Sequence, residues 1–167
     1  MSRIDGSLYV TGNITSGSLT LAAGSVINTS VAAAAAIDET KLEHQHRIGY
    51  AMPNVLVVPI NTVVYTCHGD TATILEIEAG TQVVCTGDST ITVTVNRHRG
   101  ATEAAVTAIT LDSDNVVFTA EAGSLNSTNK LLVDGDVLEI SVAVSPGTGS
   151  LGTGLFVSIT LAEDSET

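Results

Sequence analysis

From residue 72 onward the chain keeps returning to one pattern: alternating apolar and polar residues, cut every ten or so positions by a turn. "TITVTVN", "VTAITL" and "LEISVAV" are the clearest runs. A period of two sends successive side chains to opposite faces of a strand, so each run has one apolar and one polar face. The cuts are "HGDT", "TGDS", "DSDN", "VDGD" and "SPGTGSLGTG", rich in the residues that accept turn conformations. Strands are expected at 55–66 (with a break at Pro59), 72–78, 82–85, 90–97, 104–111, 115–120, 130–133, 136–144 and 153–162. No stretch after residue 47 has the period of a core helix. Eight or nine short strands at this spacing predict an all-β fold, an antiparallel β-sandwich or jelly roll, over residues 47–167.

The core has to be built from small side chains. Hydrophobic residues are 44% of the chain, but aromatics only 3%, and Trp is absent. Such a core buries less area per residue, so the chain gains from contacts with further subunits. The 18 acidic and 6 basic residues give a net charge of −12. Arg97 and Arg99 are the nearest approach to a basic cluster, which argues against nucleic-acid and anionic-membrane partners. No apolar run has membrane-spanning length. The opening "MSRIDGSLYV" lacks a signal-peptide layout, so export by that route is not expected. The N-x-[ST] sites at Asn13, Asn28 and Asn126 then read as turn residues. Cys67 and Cys85 have no metal-ligand spacing and read as buried free thiols, with a disulfide left open.

The first third has a different texture. Residues 1–30 contain "GSLYVTGNI" and "GSLTLAAGSV", a degenerate repeat of short strand and turn. Leu8, Val10, Ile14, Leu19, Leu21 and Val26 are its apolar positions. So short a segment cannot bury a core alone, so these six residues are expected to meet neighbouring surfaces, identical arms of other subunits being the simplest source; the resemblance described below adds a capsid as the other expected contact. Residues 31–46, "VAAAAAIDETKLEHQH", predict a short helix or an ordered linker.

Few residues suggest chemistry. His44 and His46 lie one residue apart and face the same way if extended. A metal would need a third ligand, and neither Asp38 nor Glu43 stands at a diagnostic spacing. Asp112/Asp114 and Asp134/Asp136 are D-x-D pairs without the remaining ligands of a calcium loop, and tight turns explain them. There is no G-x-S-x-G elbow. Cys67 and His68 are adjacent, so a strand would point them apart. The Gly-rich "GTGSLGTG" has no phosphate-loop lysine and reads as a flexible hairpin loop. No catalytic residue, cofactor or metal is expected.

The run from Ile4 to His46 resembles the N-terminal part of tailed-bacteriophage and prophage virion proteins, among them capsid decoration (cement) proteins and head fibres. The likeness lies in the short "G-x-L-x-V-x-G-x-I" strands and in a following pattern matched by Ser30, Val31, Ala35, Ile37, Lys41, Leu42 and His44. It implies a non-enzymatic homotrimer on the virion surface, made in the host bacterial cytoplasm and bound to the major capsid protein. Head and tail positions both stay open. In such a trimer Lys41, His44 and His46 are expected at a structural, pH-sensitive junction on the threefold axis.

Overall fold

Ile91, Val93 and Val95 point into the protein, while Thr90, Thr92 and Thr94 between them are half-exposed. The alternation seen in the sequence is therefore the alternation of burial. The computed structural model describes residues 44–55, 60–69 and 71–163, all within the compact unit Asp38–Thr167. Their elements are β1 (His44–Val55), β2 (Ile60–Thr66), β3 (Thr71–Gly80), β4 (Thr90–Arg99), β5 (Thr102–Leu111), β6 (Glu121–Ala122), β7 (Leu131–Val133), β8 (Val137–Ser145) and β9 (Thr153–Glu163).

The pairing is nested. β1 pairs with β9, β2 with β8, β3 with β7 and β4 with β5, all antiparallel. This is one long hairpin rolled up, and the contacts of β9 with β3 and of β8 with β4 close the roll. Two sheets result, β1-β9-β3-β6 with β7 also on β3, and β2-β8-β4-β5. This is a jelly roll.

Both sheets supply the core. Ile74, Ile77, Leu155, Ile159 and Leu161 come from the first, and Ile91, Val93, Val95, Leu138 and Ile140 from the second. All twelve of the largest fully buried side chains are Ile, Leu or Val. Burial of each contributes about 1.5–3 kcal/mol, so number replaces size in this aromatic-poor interior. Bulges keep the apolar rows aimed inward. Leu75 is an extra residue between Ile74 and Glu76; it shifts the phase, so that Ala72 and Ile74 before it and Ile77 and Ala79 after it are all buried. Two turns follow from glycine. Gly100, at φ 60, opens the two-residue loop between β4 and β5. Gly135, at φ 80, is the third residue of the turn closed by the Asp136 amide on the Val133 carbonyl.

Several expectations need correction. Strand β1 begins at His44, before the boundary at residue 47 and within the stretch read as linker; Ile48, Tyr50 and Met52 pack against the core at period two. Residues 82–85 form a single bridge, Val83 to Thr153, rather than a strand. Residues 115–120 are a turn segment, because "NVVFT" has no alternation and Phe118 stands at φ 56. The Gly-rich loop is tied down: the Thr148 hydroxyl donates to Asp88 at 2.7 Å and the Ser150 amide to Thr86 at 2.8 Å. Cys67 and Cys85 are free and buried. Asn126 is a turn residue, its Oδ1 accepting the amides of Thr128 and Asn129.

Candidate functional site

The chain enters β1 at the end of the sandwich where β9 finishes. Register sets His44 beside Glu163 and His46 beside Leu161. His46 continues the row of Ile48, Tyr50 and Met52, and Glu163 continues the buried row of Val157, Ile159 and Leu161. Two core-facing rows thus end in polar residues that meet: His46 Nε2 lies 3.1 Å from Glu163 Oε2. The Tyr65 hydroxyl, at the end of β2, donates to the other oxygen, Oε1. Burial first, and then the hydrogen bond to Glu163, push the Tyr65 phenol well above its usual range. Cys67 follows two residues on, and burial raises its thiol as well.

A second pair closes the same end. Arg97 and Arg99 extend the inward row of Ile91, Val93 and Val95. Arg97 is buried and donates to the carbonyls of Thr128 and Leu131. Arg99 forks onto Asp136, with Nε at 2.9 Å from Oδ1 and Nη2 at 2.7 Å from Oδ2. Asp136 is 1% exposed. The Arg99 hydrogen bonds hold its carboxyl below the usual range, against the desolvation that would raise it. Its backbone carbonyl accepts the Cys67 amide at 2.8 Å, which joins the two pairs.

This end is built to hold charge in place. A thiol and a phenol kept protonated are the reverse of activated nucleophiles. Asp136 is committed to Arg99, and Asp134 accepts the Gly69 amide, so "VDGD" is a turn. In "LDSDN" the Asp112 carboxylate accepts the Asp114 amide and Asn115 accepts the Asp112 amide, again a turn.

Of the residues singled out from sequence, His46 is placed here, and so is the backbone of His44. Leu8, Val10, Ile14, Leu19, Leu21, Val26 and Lys41 lie outside the described residues, as does the side chain of His44. Sequence reading missed Tyr65 and Glu163; it singled out Arg99 only as half of a basic pair and Asp136 only as half of a D-x-D turn, and not their pairing with each other. A signal for Arg99 was present: it falls on the inward phase set by Ile91, Val93 and Val95. Asp136 and Glu163 carry no local sign of their partners.

No family model matches the chain, and no curated protein matches it. Among solved structures it is similar to a chain of Desmodium yellow mottle tymovirus. That match has 9% identity, covers 99% of this chain and 97% of that one, and has a TM-score of 0.34. A score so low carries no argument, and the jelly-roll assignment rests on the strand pairing itself.

Proposed function

We propose that the protein is a structural component of a virion, a homotrimeric decoration protein bound to the outer surface of a tailed-phage capsid. Residues 1–46 attach it to the major capsid protein, and the jelly roll faces solvent. What supports this reading is the resemblance of residues 4–46 to virion attachment arms, a run whose last three residues, His44 to His46, already form the start of β1. Jelly rolls recur in viral capsid domains, and also in lectins and cupins. A fold does not dictate a function, so the arm and the chemistry of the sandwich have to supply the rest. The titratable groups at the polar end are fastened to one another, as suits a non-enzymatic knob. A protein that binds only the assembled lattice stabilises it by mass action.

The test uses particles that lack the protein. Added back, the full chain is expected to decorate them and raise the temperature of genome release; a chain without residues 1–30 is expected not to bind. Decoration by the truncated chain would refute the arm assignment, and unchanged release curves would refute the cement role. One observation favours a second reading, a head-fibre or tail-fibre protein that displays the knob for host attachment. Val116, Val117 and Phe118 form an apolar loop with Phe118 72% exposed, which suits a contact surface. Immunogold labelling of intact virions separates head from tail.

A further inference from the structure

The outer face of the sheet β2-β8-β4-β5 holds a constellation that the polar end does not use. His98 on β4, Glu103 on β5 and Glu139 on β8 come from three neighbouring strands. His98 stands directly opposite Glu103 in the β4–β5 pair. Glu139 faces Asn96 in the β4–β8 pair, two residues from His98 on the same face. One ligand atom from each of the three lies within 4.8 Å of the other two.

Two further observations bear on what sits between them. His98 Nε2 is cut off from solvent and has no hydrogen-bond partner among the described residues; its nearest carboxylate oxygen, on Glu139, is 3.7 Å away. Leaving a buried polar nitrogen without a partner is unfavourable, because the group has given up its water and gained nothing in return. Glu103 is held from behind, since Asn96 Nδ2 donates to its Oε1 at 2.5 Å. Asn96 is itself buried. An amide that steadies a carboxylate while leaving its second oxygen free is the arrangement seen around metal ligands.

The geometry points to a divalent transition-metal site formed by His98, Glu103 and Glu139. One imidazole nitrogen and two carboxylate oxygens suit a zinc-class cation, with water in the remaining position. At metal–ligand distances of about 2.0–2.2 Å, the three atoms must draw together, which rotation of the exposed Glu103 side chain allows. The ion satisfies His98 Nε2, offsets the repulsion of the two carboxylates and ties three strands together on one face.

The test is calorimetric titration of the full chain with zinc chloride alone, alongside melting curves with and without a chelator. Wild type is expected to bind one zinc per chain saturably and to melt higher with it. His98→Ala is expected to weaken binding at least tenfold. Glu103→Gln, at an exposed position, is expected to do the same while its far-ultraviolet spectrum stays native. His46→Ala serves as control for zinc held by other histidines and is expected to leave affinity unchanged. Absence of saturable binding overturns the inference. So does equal affinity in wild type and Glu103→Gln, or a loss confined to His46→Ala.

Discussion

Arg99 holds the buried Asp136 in a fork, Nε to Oδ1 at 2.9 Å and Nη2 to Oδ2 at 2.7 Å, across 37 residues of chain. Asp136 also accepts the Val133 amide at 2.9 Å, so one carboxylate fastens the end of β4 to the turn between β7 and β8. Replacing it with Asn keeps the shape and removes the charge. Asp136→Asn is expected to cost about 2 kcal/mol, seen as a lower urea midpoint with an unchanged slope.

The same pair sets an acid dependence. The folded carboxyl of Asp136 is held below its unfolded value of about 3.9. Its contribution is therefore full above the unfolded value and is lost as pH falls through the folded one. Wild type should lose more stability than Asp136→Asn in denaturant titrations carried down through pH 4. Parallel pH profiles for the two proteins would show that the pair contributes nothing.

At alkaline pH the relevant group is Tyr65, whose phenol is raised by burial and by Glu163. A raised folded value stabilises fully below the unfolded value, near 10, and the contribution fades as pH climbs beyond it. Ultraviolet titration should show one tyrosine that ionises only as the protein unfolds. In Tyr65→Phe that step should vanish, and neutral stability should fall by about 1 kcal/mol through the lost hydrogen bond.

Two glycines make a matched test of packing. A Cβ on Gly149 would lie 1.7 Å from the Thr86 carbonyl oxygen, a backbone atom that cannot swing away, whereas one on Gly49 meets nothing within 4 Å. Gly149→Ala is expected to cost about 3 kcal/mol. Gly49→Ala, in strand β1, should stay within about 0.5 kcal/mol of wild type. Thermal melts of the two variants decide it.

Assembly is open to hydrodynamics. On the proposed reading neighbouring subunits cover the apolar alternation of residues 8–26, and sedimentation at micromolar concentration should then give a species of three times 17.0 kDa. A lone 17.0 kDa species would contradict the trimer.

The all-β class, most strand positions and the inward phase of the regularly alternating strands were readable in the sequence, because alternation at period two is a local property that any sandwich must respect. Ile91, Val93 and Val95 declare their face whatever they pair with. β1 was overlooked although Ile48, Tyr50 and Met52 alternate, since His44, His46 and Arg47 gave that stretch a polar look. Residues 115–120 were misread because apolar content alone does not make a strand, and at Phe118 the backbone turns to φ 56. Only the tertiary structure decided which strands are neighbours. His46 with Glu163, Arg99 with Asp136, and His98 with Glu139 are separated by 37 to 117 residues. Nothing in a local window encodes such partners; they follow from rolling one long hairpin, whose nested pairing brings the two ends of the described residues, His44 and Glu163, side by side.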